Sequence, residues 1–295
     1  MKGLAFDVSR IFEDISQLEC IKPFVLVGGT ALSLQLGTRL SEDLDFMRWK
    51  TGPDDRLEIG WNKIKRELES KWSIENMDVL GFDQALFQVE GVKLSFYAAP
   101  RYKLPIMKDI NFHNNVKVAD PLSIGAMKME VLSRRSRLRD YYDIYSILKA
   151  GYSFHDMVKA AIEHSDHVLK EKNLLAILSN GERFYQDKDF KNLSPVYDVS
   201  AEDIQQYIMG VIVEQKELNQ KIRNIASSAT ITSGGDSGYK VRVEVKEESF
   251  MASLSSAEVK KVKSGKLQIS DLAFDKLYHS IERILDQERG IGRKM

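Results

Sequence analysis

The stretch FVLVGGTALSLQLGTRLSEDLDF, residues 24–46, decides how this chain is read. Phe24-Val25-Leu26-Val27 is an apolar run of strand type that ends in Gly28-Gly29-Thr30. Leu32, Leu36 and Leu40 then recur at helical spacing. The glycines and Thr30 therefore fall at a strand-to-helix turn, where backbone N–H groups and a hydroxyl can meet the terminal phosphates of a nucleotide. Twelve residues further on comes Asp43-Leu44-Asp45-Phe46. Side chains alternate along a strand, so Asp43 and Asp45 share one face while Leu44 and Phe46 enter a core on the other. Two carboxylates on such a support, completed by water and substrate phosphates, suit Mg²⁺ better than zinc.

The glycine pair and the Asp-x-Asp strand, with Arg39 and Ser41 between them, resemble the nucleotidyltransferase superfamily. More narrowly, GGTALSLQLGTRLSEDLDF resembles the AbiEii-type toxin nucleotidyltransferases of type IV toxin–antitoxin systems. The resemblance implies an NTP substrate, Mg²⁺ or Mn²⁺ held by Asp43 and Asp45, and nucleotide contacts from Gly28, Gly29, Thr30, Arg39, Ser41 and Arg135. It further implies transfer of a nucleoside monophosphate to an acceptor such as tRNA or another RNA, toxicity, and a cognate antitoxin. The alternatives are transfer to a small molecule or a protein hydroxyl, and a nucleotide- or partner-binding pseudoenzyme.

A second segment, DPLSIGAMKMEVLSRRSRLRDYYDIYSIL (residues 120–148), resembles the family's later motifs, a Lys-x₆-Arg helix and Arg-Asp-x-x-Asp. Lys128 and Arg135 lie seven residues apart, two turns on one helical face, and Asp140 and Asp143 lie three apart on another. The charge that builds on phosphoryl oxygens and departing pyrophosphate can be neutralised by a fixed lysine and arginine. The resemblance implies that Lys128 and Asp140 are functional, with the role of Asp140 unassigned. Replacing Lys128 by Ala is expected to lower turnover by orders of magnitude with little loss of stability. The competing reading pairs Arg134, Arg135, Arg137 and Arg139 with Glu130 and Asp140 on a solvated face. A departure from the superfamily pattern lies in Val92–Tyr97, whose outward positions Lys93, Ser95 and Tyr97 carry no third acid, leaving Glu90 or Asp140 as candidate bases.

The 295 residues, 43% of them apolar and 29% charged, describe an ordinary globular chain whose formal net charge is zero. No global field draws it to nucleic acid or membranes, so any nucleic-acid contact must come from a local patch. The single cysteine, Cys20, rules out an internal disulfide framework and fits a reducing cytoplasm. With no apolar run of membrane-spanning length and no secretory signal, a cytoplasmic location without membrane contact is expected.

The expected fold class is α+β: a small mixed-sheet nucleotidyltransferase core over residues 1–119, then a helical domain over 120–225 that completes the site. A Ser/Gly-rich linker over 226–238 and a strand-plus-helix tail over 239–295 follow. The core is expected to contain an amphipathic helix over Met1–Ile15 with Leu4, Val8 and Ile11 on its stripe. Next come the strand, helix and Asp-x-Asp strand, a helix opened by Pro53 and Asp54-Asp55 with Leu57, Trp61, Ile64 and Leu68 inside, and a hairpin of Ala85–Glu90 with Val92–Tyr97. Asp120 and Pro121 read as N-cap and first residue of the helical half. Ser200 precedes a helix carrying Ile204, Ile208 and Val211. In the tail, Val241, Val243 and Val245 form one strand face and Leu277, Ile281 and Leu285 a helix face; the tail is expected to dock on the helical half or to cover an antitoxin or RNA. His164 and His167, at a metal-compatible spacing but without a second ligand pair, read as surface, and Ser264-Gly265-Lys266 reads as a turn.

Overall fold

A computed structural model describes residues 2–50, 52, 54–98, 108–165, 168–182, 190–233 and 238–288. The chain divides into two compact units, Met1–Gly210 and Val211–Met295. The first opens with α1 (Phe6–Ser16), β1 (Val25–Val27), α2 (Gly28–Leu36) and β2 (Asp43–Arg48), then α3 (Trp61–Glu69) and strands β3 (Ile74–Val79), β4 (Gln84–Val89) and β5 (Val92–Ala98). After β6 (Asp109–His113) and β7 (Val116–Ala119) come the helices α4 (Pro121–Val131), α5 (Leu138–Lys149), α6 (Phe154–His164), α7 (Glu171–Ser179) and α8 (Ala201–Ala226). Seven strands form one mixed sheet in the order β3-β4-β5-β2-β1-β7-β6, with β2 parallel to β5 and β1 parallel to β7. The α+β expectation agrees with this architecture.

The sheet places the carboxylates because its two faces are chemically distinct. Phe46 stacks on Phe96 at 5.2 Å, and Phe24 and Phe87 meet the same ring edge-on at 5.2 and 5.9 Å. Each ring is buried, and burying a large apolar side chain is worth about 1.5–3 kcal/mol. That aromatic cluster fixes the register of β2, because a one-residue slip would drive Asp43 and Asp45 into it. Asp43 stands opposite Lys93 and Asp45 opposite Ser95 across the parallel pair.

Several boundaries differ from the expected ones. The first helix starts at Phe6, and Leu4 instead lies in a bridge with Ser41. The helix expected near residue 54 starts at Trp61. Asp55 spends its carboxylate on the Leu57 N–H (2.8 Å) and on Arg48 (2.6 Å), which holds an irregular loop with Leu57 at φ +55°. Pro53 lies outside the described residues. The strand β3 escaped notice because it is an edge strand with too little apolar alternation, and β6 is the opposite edge. Leu40 lies beyond α2, which stops at Gly37 in the left-handed conformation. Cys20 is buried, and burial together with the Glu67 carboxylate pushes its thiol up to about 12, so it is an inert core side chain. Among the described residues no helix is long and apolar enough to cross a membrane.

In the second unit β8 (Thr230–Ser233), β9 (Tyr239–Val245) and β10 (Glu248–Ser253) form an antiparallel sheet in the order β10-β9-β8, followed by α9 (Ser256–Lys263) and α10 (Ile269–Glu288). Val241, Val243 and Val245 pack into a core with Leu218 and Ile222 of α8 and with Leu277, Tyr278 and Ile281 of α10. This differs from the expected division. Residues 230–233 of the Ser/Gly-rich run pair with β9, and the unit boundary falls inside α8, whose last turns serve this core. Residues 234–237 of the expected linker, and His167, lie outside the described residues. On α8, Ile204 and Ile208 are buried as expected, and Ile212 takes the place foreseen for Val211.

Candidate functional site

A cleft of about 320 Å³ opens where the ends of β1 and β2 face α4 and the start of α5. Gly28, Gly29, Ser41, Asp43, Asp45, Lys128, Arg135 and Asp140 all line it, so the two sequence motifs meet there. Gly28 begins α2 at φ +71°, the left-handed region, and a Cβ on it would sit 3.1 Å from Asp45 Oδ2. No side chain caps α2. The first N–H groups of a helix have no intrahelical acceptor, so this end offers donors and the positive end of the helix dipole to an anion. Burial raises the Asp45 pKa, the Ser95 hydroxyl opposes that, and the Asp43 carboxylate raises it further. The pair is thus held in a state that a cation would relieve.

Facing it is a chain of alternating charges. The Arg39 Nε and Nη2 donate to the two oxygens of Asp143 at 2.7 and 2.8 Å, while Nη1 donates to the Leu40 carbonyl at 2.8 Å. Lys128 Nζ lies 2.6 Å from Asp143 and 2.8 Å from Asp140. Arg135 then bonds Asp140 at 3.1 and 3.2 Å. Arg39, Lys128, Asp140 and Asp143 are all buried. Burial alone would discharge Lys128, but Asp140 and Asp143 outweigh it and hold its pKa above the ordinary lysine value. Against the same burial, Lys128 and Arg135 hold the Asp140 carboxyl at about 2.

These contacts revise several sequence-derived roles. Arg39 lines the cleft and gives its donors to Asp143 and Leu40, so besides its expected place near a nucleotide it braces Lys128 through Asp143. The Thr30 hydroxyl lies 2.8 Å from the Ser41 hydroxyl and against the Asp43 carbonyl, and Thr30 does not line the cleft. It stands inside α2 because the helix already begins at Gly28. Lys128 and Arg135 do not share a helix. Helix α4 ends at Val131, and Arg135 reaches Asp140 from the connecting loop. Of the arginine run, Arg134 pairs with Glu130 on the surface, while Arg135, Arg137 and Arg139 line the cleft. Glu90, at the β4–β5 turn, pairs with Arg10 at 3.4 Å and is not part of the cleft. Sequence reasoning missed Glu42 and Met47, both of which line it. Period-two alternation assigns Glu42 to the wrong face, because regular β2 starts only at Asp43.

The family described as "Nucleotidyl transferase AbiEii toxin, Type IV TA system" matches residues 10–217. The chain belongs to this AbiEii nucleotidyltransferase family. An uncharacterized protein of Aquifex aeolicus (strain VF5) is 26% identical over 193 residues, spanning 63% of this chain and 89% of that protein. Among solved structures, the chain is similar to MenT4, a nucleotidyltransferase toxin from Mycobacterium tuberculosis H37Rv. Identity there is 17% and TM-score 0.46, over 71% of this chain and 85% of that one. The Megavirus polyadenylate synthase matches at 12% identity and TM-score 0.32, over 80% and 58% respectively.

The family's divalent cation fits the residues present. Asp43 and Asp45 are hard oxygen donors side by side, and among the described residues no group of three or more His, Cys, Asp or Glu could hold a metal. Two such carboxylates suit a hard divalent cation that completes its shell with water and substrate phosphates.

Gly29 offers a direct check on how this AbiEii site is assembled. A methyl group there would collide with Arg39 Nη2 and stand 3.1 Å from Ser41 Oγ. The guanidinium cannot swing aside without surrendering Asp143. Gly29→Ala is therefore expected to cost about 1–3 kcal/mol of stability, the usual price of overpacking, and to weaken nucleotide binding. Urea unfolding and calorimetry would measure both effects, and an unchanged midpoint would mean that Arg39 is not locked.

Proposed function

We propose that this protein transfers a nucleoside monophosphate from an NTP to an acceptor hydroxyl, with RNA, and specifically a tRNA end, as the acceptor. On this reading it is the Mg²⁺-dependent toxin of a toxin–antitoxin pair and meets a cognate antitoxin. The observation that carries the proposal is the convergence in one cleft of the Asp43/Asp45 pair, the open N-terminus of α2 and the buried Lys128.

The chemistry follows from the donors. The acceptor oxygen forms a bond to the α-phosphorus, the bond from that phosphorus to the α,β-bridging oxygen breaks, and pyrophosphate departs with the electron pair. Asp43 and Asp45 would hold Mg²⁺, which would supply neutralisation of phosphate charge. The α2 N–H groups and Arg135 bind the triphosphate, and Lys128 stabilises the charge that grows on the phosphoryl oxygens. Asp140, held at about 2 between Lys128 and Arg135, is a poor base at neutral pH. Glu42 lines the cleft, is exposed, and forms no ion pair among the described residues, so it is the carboxylate available to take the hydroxyl proton.

Incubation with each α-labelled NTP and separate pools of tRNA, protein and small metabolites tests this reading. Label is expected in tRNA, dependent on Mg²⁺ and lost in Asp43→Ala. In Glu42→Gln the rate should fall about 10²–10⁴-fold, the range for general-base removal. Label entering protein or small molecules instead would replace the acceptor, and no pyrophosphate release with any nucleotide and pool would overturn the transfer itself.

A further inference from the structure

The second unit lies almost wholly beyond residues 10–217, the span that matches the AbiEii family. It nevertheless has its own core and a polarised surface. Between Val259 and Ser270 there are four lysines, Lys260, Lys261, Lys263 and Lys266, and no acid. All four are exposed. Lys263 Nζ stands 5.2 Å from the centre of the Tyr239 ring, itself on the surface at the start of β9. Lys240 pairs with Ser253 and Thr232 on the flanking strands, and the Leu254 N–H donates to the Tyr239 carbonyl at 2.9 Å. The start of β9 and the entry to α9 therefore lie at the same end of the sheet. The acids Glu244, Glu247 and Glu248 lie at the other end, around the β9–β10 turn.

Helix electrostatics account for only part of this. The dipole of α9 favours cations in its last turn by about 0.3–1 kcal/mol each at low ionic strength, which covers Lys260, Lys261 and Lys263 but neither Lys266 nor Lys240. The one acid of α9, Glu258, is committed to its capping box with Ser255 and to Lys276 at 3.0 Å. Among the described residues Lys240, Lys260, Lys261 and Lys266 form no ion pair, in a chain whose formal net charge is zero.

We propose that this lysine patch around Tyr239 binds the phosphate backbone of folded RNA. Point-like ammonium groups on flexible stems suit phosphates whose spacing is not fixed, and an exposed tyrosine offers a face on which a base or ribose can stack. On the outer strand face Ser253, opposite Lys240, and Thr230, opposite Arg242, are exposed hydroxyls. A membrane surface would call for a cluster of apolar side chains to insert, and among its described residues the second unit exposes only Val213 on α8 and Met251 on the outer sheet face besides Tyr239. The choice of RNA rests on the proposed acceptor. Its benefit is that RNA held on this unit raises the local acceptor concentration for the same chain.

The test uses the full chain with a fluorescently labelled tRNA, titrated across a range of salt concentrations. Log affinity should fall steeply with log salt. Replacing Lys260, Lys261 and Lys266 together by Ala is expected to weaken binding at least ~10-fold and to make the salt slope shallower by about 2–3, since each phosphate contact contributes about 0.7–0.9. All three are exposed, so the melting temperature should fall by no more than the small helix-dipole share of Lys260 and Lys261. A control variant, Lys216→Ala with Lys221→Ala on α8, should bind as wild type. The triple variant should raise KM for tRNA at unchanged kcat, whereas Asp45→Asn should keep tRNA affinity and lose turnover. That split separates failure of the patch from failure of the transfer reading. Wild-type tRNA affinity in the triple variant overturns the proposal, and so does equal or tighter binding to phosphatidylserine vesicles or to polyglutamate.

Discussion

Asp45→Asn is expected to eliminate measurable transfer, by ~10³-fold or more, while raising the melting temperature in metal-free buffer. The two effects share a cause. Burial, and then the charge of Asp43, hold the folded-state pKa of Asp45 above its unfolded value. A group with a raised folded pKa contributes its stability fully below the unfolded pKa, and that contribution is lost as pH rises through the folded value. Above that folded value and without metal, the Asp45 charge therefore opposes folding, and the isosteric amide removes that opposition. Each kcal/mol gained should appear as about 2–4 °C in a unit of this size. Mg²⁺ with nucleotide should stabilise wild type by mass action but not the variant. Asp43→Asn should lose metal affinity in the same way. Unchanged Mg²⁺–nucleotide affinity in both variants, measured by calorimetry, would remove the metal site from these residues.

Lys128→Ala is the second large effect, and the structure changes its expected form. From the sequence the substitution should spare stability. In the structure Lys128 sits between Asp140 and Asp143, all three buried, and its removal leaves two carboxylates with only Arg135 and Arg39 to offset them. Breaking a buried pair in this way costs about 3–5 kcal/mol, and losing a preorganised charge at a phosphoryl centre costs about 10²–10³ in turnover. Lys128→Arg should rescue neither, because the two carboxylates at 2.6 and 2.8 Å surround a compact ammonium and leave no room for a planar fork. Denaturant unfolding and single-turnover kinetics on the same preparations would separate the two losses. A variant as stable as wild type would show that the carboxylates are satisfied without the lysine.

The second unit shows where pattern reading stops. The alternation of Val241, Val243 and Val245 announced a half-buried strand, but its sheet partners could not be named. Antiparallel pairing with β8 depends on a turn through a Ser/Gly-rich run whose composition reads equally well as a linker. Likewise β3, with no fully buried residue, carries too short a periodic signal in Met77 and Val79, since its place at the sheet edge demands none.

Within the site, the sequence by itself determined the glycine turn, the shared face of Asp43 and Asp45, the capped start of α4 at Asp120 and the common face of Asp140 and Asp143. These are local facts, set by backbone period, turn geometry and N-cap chemistry within a few residues. Only the tertiary structure decided that Arg39, in the cleft wall beside Gly29, pairs with Asp143, 104 positions along the chain, and that Gly29 is required to make room for it. It likewise decided that Arg135 meets Asp140 from a loop and that Glu42, not Glu90, reaches the cleft. A buried charge takes whichever opposite charge the fold brings within about 3 Å, and no spacing along the chain records that choice.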